Sequence, residues 1–210
     1  MHITWYGDSS FVFQCKEATV VFNPPSEKEQ KKPLKKQGDI VMTSFDTQSQ
    51  LFDPKTIKEN PFVIDSPGEY EVKSVMIEGF STKLQKEQEE AYVNIVYRFK
   101  AEGIRVCHLG YLDGALSEDN LDHIGIVDVL LLPIGGNNTV QAAKAVTIMN
   151  AIEPSIVIPM QHSDKKDDTY LDAFCDEIGE KREKGLDKII VKKKTLPHEG
   201  TNLMFLAAHV

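Results

Sequence analysis

The chain has 210 residues, of which 41% are hydrophobic, and this predicts a single domain over residues 1–210 with one sizeable core. Lys and Arg number 24 against 32 Asp and Glu, and the resulting net charge of −8 argues against a nucleic-acid partner. The chain holds no run of about 18 apolar residues and no signal-peptide pattern, so we expect a cytoplasmic protein without a membrane span.

The first half of the chain alternates short apolar runs with turn residues, a pattern typical of β-strands. The predicted strands are His2–Tyr6, Phe11–Cys15, Thr19–Phe22, Asp39–Met42, Phe62–Ile64, Glu69–Val72, Val75–Phe80 and Tyr92–Phe99. The stretch Asn23–Gln37 contains three prolines and is dense in Lys, Glu and Gln, which indicates a surface loop rather than an interdomain linker.

From Ile104 onward the pattern changes to alternating strands and helices. Predicted strands here are Arg105–His108, Val129–Leu132, Ile156–Ile158, Lys188–Val191 and Leu203–Ala207. Predicted helices are Glu118–Ile124, Val140–Ile152 and Thr169–Ile178. A β-rich half followed by a β/α half predicts an α/β fold, an αββα sandwich of two mixed β-sheets flanked by helices.

Six short motifs follow one another between residues 3 and 160. The first, residues 3–11, reads Ile-Thr-Trp-Tyr-Gly-Asp-Ser-Ser-Phe, and the others are residues 39–43, 67–72, 107–110, 127–136 and 152–160. In this order they resemble the metallo-β-lactamase superfamily, in its branch similar to ascorbate-6-phosphate lactonase, where the first motif runs WYGHSCF. Asp8 departs from that pattern. The resemblance implies a zinc-dependent hydrolase fold.

The positions at which this resemblance implies metal ligands carry other residues in this chain. The family motif THxHxDH falls on residues 43–49, which read Thr-Ser-Phe-Asp-Thr-Gln-Ser, so Ser44, Asp46, Gln48 and Ser49 replace the ligands. A later histidine survives as His108. Two further ligand positions hold other side chains, Tyr111 in place of an aspartate and Gln161 in place of the last histidine.

A catalytic zinc ion needs about three nitrogen, sulfur or carboxylate ligands, and neutral hydroxyl and amide groups are poor substitutes. We therefore expect no bound zinc or other cofactor, and a cleft in which Asp8, Ser44, Asp46, Ser49 and Tyr111 hydrogen-bond to one another. The odd number of widely spaced cysteines, Cys15, Cys107 and Cys175, predicts reduced core thiols.

Three other interpretations stay open for the remaining polar residues. Asp8, Asp46 and His108 together would suit Mg²⁺ or Mn²⁺. A one-residue backbone shift would let His162 replace the ligand lost at Gln161. Residues 135–139, Gly-Gly-Asn-Asn-Thr, lead into a predicted helix and either hold an anion or provide the helix cap at Asn138 or Thr139.

The function expected from these residues is a catalytically degenerate protein that binds a protein or small-molecule ligand through the altered cleft. The alternative is a hydrolase of a lactone or a phosphorylated small metabolite, acting with an unusual metal or with none. A purely structural subunit that forms a homo-oligomer is a third possibility.

Overall fold

The computed structural model describes residues 1–25, 34, 37–45, 53–58, 60–83, 93–135, 139–162, 168–197 and 199–209. The strands in chain order are β1 (His2–Trp5), β2 (Phe11–Gln14), β3 (Thr19–Phe22), β4 (Ile40–Met42), β5 (Phe62–Ile64), β6 (Gly68–Val72), β7 (Val75–Lys83), β8 (Val93–Ala101), β9 (Ile104–His108), β10 (Val129–Pro133), β11 (Ile156–Met160), β12 (Ile189–Ile190) and β13 (Asn202–Leu203). The α-helices are α1 (Glu118–Ile124), α2 (Ala142–Ile152) and α3 (Thr169–Ile178), and two short 3-10 helices cover Pro54–Thr56 and Lys193–Thr195.

The strands form two mixed sheets. The first sheet has the order β12-β1-β2-β3-β4-β5, with antiparallel pairing from β12 to β3 and parallel pairing from β3 to β5. The second has the order β13-β11-β10-β9-β8-β7-β6. Its strands β9, β10, β11 and β13 run parallel, so the carboxyl ends of β9, β10 and β11 meet at one edge of the sheet.

The main hydrophobic core lies between the two sheets and draws side chains from both, including Phe11, Phe13, Phe22, Tyr97 and Phe99. A second apolar cluster joins the outer face of the second sheet to α1, α2 and α3. Strand β10 is buried along its whole length because it lies between the core and the helices, as central parallel strands do.

The outer face of the first sheet is covered differently. Val12, Val21 and Val41 lie there and pack against Leu34 from a connecting segment and against Ile57, which ends the short 3-10 helix Pro54–Thr56, rather than against a described α-helix. The two-sheet sandwich predicted from the sequence is confirmed.

Several predicted elements have different bounds in the structure; strand β7, for example, extends to Lys83 rather than ending at Phe80. The last strand was expected over Leu203–Ala207, but only Asn202–Leu203 pairs with β11, and the chain then forms an isolated bridge at Leu206. Helix α2 begins at Ala142 rather than at Val140, because its N-cap residue Gln141 has an extended backbone conformation with φ = −80° and ψ = 164°.

Candidate functional site

The candidate site lies where the two sheets meet, at the carboxyl ends of β9 and β11. The first sheet contributes the β1–β2 turn, in which Gly7 has φ = 87° and Asp8 has φ = 48°. The second sheet contributes His108 at the end of β9 and Gln161 just after β11. The backbone amide of Gln161 donates to the carbonyl oxygen of Asp8 at 3.1 Å and so joins the two sheets at the cleft.

His108 is fully buried, and both of its ring nitrogens have hydrogen-bond partners. The backbone amide of Gly110 donates to Nδ1 at 3.0 Å, so the ring proton is assigned to Nε2, which lies 3.0 Å from the carbonyl oxygen of Ser9. The ring stacks on Phe22, with ring centroids 4.5 Å apart and planes within 2°. Burial lowers the pKa of His108 to about 4, so the ring is neutral near pH 7.

A buried network of neutral polar side chains fills the space beside His108. Asn23 donates from Nδ2 to the hydroxyl oxygens of Ser9 and Ser44, both at 3.1 Å, and accepts from the backbone amide of Ser44 at 2.7 Å. Asn94 donates to the carbonyl oxygen of Leu109 at 3.0 Å and accepts from the backbone amide of Tyr111 at 2.7 Å. Asn23 thus links segments of the first sheet and Asn94 links segments of the second, while the bond from His108 to the carbonyl oxygen of Ser9 connects the two sheets.

Close backbone approach at Gly110 is part of this arrangement. Gly110 has φ = 62°, and a Cβ atom at this position would lie 2.2 Å from Asn94 Oδ1 and 2.9 Å from Ser44 Oγ. A side chain would therefore displace the polar network, and only glycine fits here.

The rim of the cleft holds Asp8, Tyr111 and Gln161, which we call the rim cluster. The Tyr111 hydroxyl donates to Asp8 Oδ2, and the hydroxyl of Ser9 also donates to this atom, at 3.1 Å. The Gln161 side chain donates from Nε2 to the carbonyl oxygen of Gly110 at 3.3 Å and is also hydrogen-bonded to Tyr111. Burial and the Asp8 carboxylate raise the pKa of Tyr111 well above its ordinary value.

His162 lies beside the cleft. Its ring packs on Trp5, with centroids 4.7 Å apart, and its Nδ1 lies 3.1 Å from Asp168 Oδ2. Asp168 is also the N-cap of α3 and accepts from the amides of Tyr170 and Leu171. Burial opposes ionisation of Asp168, but the hydrogen bonds from His162 and from these amides leave its pKa below the ordinary value.

Some of the predicted site residues fall in segments for which no structure is described. Asp46, Gln48 and Ser49 lie outside the described residues, as do Gly136, Asn137 and Asn138. The expectation that Asn138 or Thr139 caps the following helix is wrong. The N-cap of α2 is Gln141, which makes no side-chain capping hydrogen bond.

The donor set of the described residues does not fit a catalytic zinc ion. Within the described ranges no group of three or more His, Cys, Asp or Glu side chains is placed to hold a metal ion. His108 offers no open nitrogen, since Nδ1 accepts from Gly110 and Nε2 bonds to Ser9. Ser44, which stands at a family ligand position, bonds to Asn23 instead.

Sequence reasoning missed three members of the site, Ser9, Asn23 and Asn94. Ser9 is not among the predicted site residues, although its hydroxyl oxygen contacts Asp8 and Asn23 and its carbonyl oxygen contacts His108. Asn23 carried one usable signal, a polar residue directly after a buried strand and before Pro24. Asn94 lies within β8, and nothing in its neighbourhood distinguishes it.

Two mixed sheets with flanking helices and a polar cleft at the strand ends define a protein of the metallo-β-lactamase fold. The chain belongs to the family described as the beta-lactamase superfamily domain, whose family model matches residues 2–161. The family predicted from the motifs is thus confirmed.

Relatives agree with this assignment. A UPF0173 protein of Pyrococcus abyssi is 29% identical over 222 residues, which cover 95% of this chain and 99% of that protein. A UPF0173 metal-dependent hydrolase of Archaeoglobus fulgidus is 36% identical over 62 residues, which cover 30% of this chain and 27% of that protein.

A solved structure from Thermotoga maritima is similar over nearly the whole chain. That protein is provisionally assigned as a Zn-dependent hydrolase of the metallo-β-lactamase superfamily. It superposes with a TM-score of 0.79 at 28% identity, covering 98% of each chain.

Among the described residues of our protein, no helix has the length and apolar content needed to cross a membrane.

Proposed function

We propose that this protein is a catalytically degenerate member of its family, which works without a catalytic zinc ion and binds a ligand through the altered cleft. The ligand is a small molecule or a segment of a partner protein that contacts the rim cluster.

The observation that carries this proposal is the state of His108. A histidine that binds zinc must present a nitrogen lone pair to the metal, and its other nitrogen then donates to a neighbouring group. Here the lone pair of Nδ1 accepts the Gly110 amide, while Nε2 bonds to Ser9. The ring is also held between Phe22 and Phe11. These contacts favour a structural role for the residue.

The polar network supports the same conclusion. A cavity that held a metal ion needs new hydrogen-bond partners once its ligands are lost, because unpaired buried polar groups cost about 1–3 kcal/mol each. Asn23, Ser44 and Ser9 satisfy one another, and each is fully buried. Such a network stabilises the cleft without a cation.

Metal analysis tests the proposal directly. Protein purified without chelators and dialysed against zinc should contain far less than one zinc ion per chain by inductively coupled plasma mass spectrometry. His108→Asn should leave the zinc content unchanged, and so should the control His123→Asn, which alters an exposed histidine on α1. Near-stoichiometric zinc that disappears in His108→Asn but not in His123→Asn would refute the proposal.

The second candidate function is a hydrolase that uses a hard cation at Asp8, Asp46 and His108. It is favoured by the relative named a metal-dependent hydrolase and by the exposed carboxylate of Asp8 at the cleft. Phosphoester and lactone substrates assayed with Mn²⁺ or Mg²⁺ would reveal such an activity. Unchanged activity in Asp46→Ala or His108→Ala would exclude this site as its source.

A further inference from the structure

The outer face of the second sheet carries an open groove between β6 and α1. Its volume is about 590 Å³, and outward-facing side chains of β6, β7, β8 and β9 line it. Two large apolar side chains share the groove, Met76 on β7 and Ile126 just after α1, and they are 50% and 70% exposed. Exposed apolar side chains that are rimmed by polar ones are a feature of binding surfaces.

The charged side chains of this groove are separated by sign. The acidic half, on β6 and β7, consists of Glu69, Glu71 and Glu78, and the basic half, on β8 and β9, consists of Arg98, Lys100 and Arg105. Strand pairing places Glu69 directly opposite Glu78. It likewise places Lys100 directly opposite Arg105. Like charges directly opposite each other destabilise a sheet, so a surface with the reverse order of charges would stabilise this one.

Ion pairs within the chain compensate only part of these charges. Glu78 pairs with Arg98 at 2.6 Å, and Arg105 pairs with a buried carboxylate at 2.9 Å. The other groove charges, Glu69, Glu71 and Lys100, are exposed, and no ion pair among the described residues includes them. The groove therefore keeps acids at one end and an uncompensated lysine toward the other.

The strand register makes this face complementary to a second copy of itself. One row across the sheet, from β6 to β9, reads Glu71, Met76, Lys100 and Arg105. A two-fold axis parallel to the strands, between β7 and β8, would lay β6 of one copy over β9 of the other and β7 over β8. Glu71 then faces Arg105 of the second copy. Lys100 of that copy is also within reach of Glu71, because neighbouring strands lie only about 4.8 Å apart.

The apolar groups and the neighbouring row fit the same axis. Met76 of one copy packs on the methylene groups of Lys100 of the other, which can cover apolar surface while its charge contacts Glu71. In the neighbouring row, Glu78 lies over Arg98 of the second copy, so the two internal ion pairs join into one network of alternating charge. Ile126, at the basic end of the groove, comes to lie against β6 of the other copy.

We infer that this groove is the interface of a symmetric dimer of the chain, formed about that two-fold axis. A partner of a single charge sign, such as a nucleic acid, would meet one half of the groove with a like charge, whereas a second copy matches both halves. The four strands span only roughly 14 Å, and such a narrow face indicates a weak, concentration-dependent dimer. The interface lies on the outside of the second sheet, away from the cleft between the sheets.

Analytical ultracentrifugation tests the inference. The protein should show a monomer–dimer equilibrium at concentrations up to about 1 mM in low salt, and added NaCl should weaken it because exposed charges are screened. Glu71→Lys and Lys100→Glu should each weaken the dimer about tenfold, equivalent to about 1.4 kcal/mol. Lys144→Glu, an exposed position on α2, should not change it.

A mixture of the two charge variants provides the sharper measurement. Glu71→Lys and Lys100→Glu protein should associate with each other more tightly than either associates with itself. In the mixed dimer the two altered side chains have opposite charges and meet at one contact, while the original Glu71 and Lys100 meet at the other. Ile126→Ser should also weaken the dimer, whereas Ile190→Ser, an equally exposed type of position at 52% on β12, should not.

A protein that stays monomeric at about 1 mM in low salt would overturn the inference. So would a dimer whose affinity is unchanged in both Lys100→Glu and Ile126→Ser, because such a dimer uses another surface. A mixture that associates no better than the separate variants would contradict the two-fold arrangement. All of these substitutions are at exposed positions, and circular dichroism of each variant verifies that it is folded.

Discussion

At the scale of single residues, His108 shows how a position can keep its residue type and change its role. The sequence places a histidine where the family has a metal ligand, and the structure surrounds it with Phe11, Phe22 and two backbone groups. A buried imidazole with both nitrogens engaged contributes to stability only while it is neutral. This gives the residue a measurable pH signature.

We expect stability to fall as pH drops from about 6.5 to about 4. The pKa of His108 is lowered by burial to about 4 in the folded chain and has its ordinary value of about 6.5 in the unfolded chain. Between these two pKa values the unfolded state binds a proton that the folded state does not bind. The free energy of unfolding therefore decreases as the pH falls, by about 2 kcal/mol at pH 5. Urea unfolding at pH 7.5, 6 and 5 measures the loss.

His108→Asn should remove this pH dependence, whereas His123→Asn, an exposed position, should retain it. If His108→Asn does not fold, NMR of the imidazole in the unaltered protein gives the same information. A His108 ring that titrates near pH 6.5 in the folded protein would contradict the expectation.

At the scale of helices and strands, the periodicity of apolar residues predicted most elements within one or two residues. Helices α1 and α3 have the predicted bounds because Ser117 and Asp168 cap their first turns and Gly125 and Gly179 end them. The strand expected over residues 203–207 is shorter because its apolar residues pack around an isolated bridge at Leu206 instead of extending the sheet.

The candidate site was less predictable than the elements that carry it. Its positions could be named because the family motifs fix them, and Asp8 and Tyr111 do meet at the cleft. Their contact joins residues 103 apart in sequence, and the bonds of Asn23 to Ser44 and of Asn94 to Tyr111 join residues 21 and 17 apart. Local sequence patterns contain no information about contacts between residues so far apart in the chain, so the network becomes visible only in the folded structure.

Asp128 joins elements that local propensity would leave independent. Its carboxylate, 4% exposed, accepts from the backbone amide of Arg105 at 2.7 Å, from the guanidinium of Arg105, and from Lys193 at 3.0 Å. It thereby connects the start of β9 to the start of β10. Burial opposes its ionisation, but these donors lower the pKa of Asp128 to about 2.

Asp128→Ala should lower the free energy of unfolding by about 2–4 kcal/mol, because it removes a buried acceptor and leaves the Arg105 amide without its partner. Asp172→Ala removes a surface ion pair between Asp172 on α3 and Arg182, and it should change the free energy of unfolding by at most about 0.5 kcal/mol. Chemical denaturation of both variants at pH 7 measures the difference. An equally small loss of stability in Asp128→Ala and Asp172→Ala would mean that the contacts of Asp128 do not stabilise the connection between β9 and β10.

At the scale of the whole molecule, the shared hydrophobic core indicates that the two sheets fold as one unit. The apolar cluster between them contains Ile3, Phe13 and Phe22 from the first sheet and Tyr97 and Leu131 from the second. Neither sheet can expose its inner face to water without also removing the apolar contacts that the other sheet makes with it. Separate unfolding of the halves would therefore leave a large apolar surface in water.

We expect a single cooperative unfolding transition, and the chain contains reporters for both sides of the sandwich. Trp5, the single tryptophan of the sequence, is 1% exposed in the first sheet, while Cys107 and Cys175 are buried between the second sheet and its helices. In a Cys15→Ala background, urea titrations followed by Trp5 fluorescence and by thiol reactivity should have the same midpoint. Earlier exposure of the thiols, with Trp5 still buried, would instead show that the helices and the second sheet unfold separately from the first.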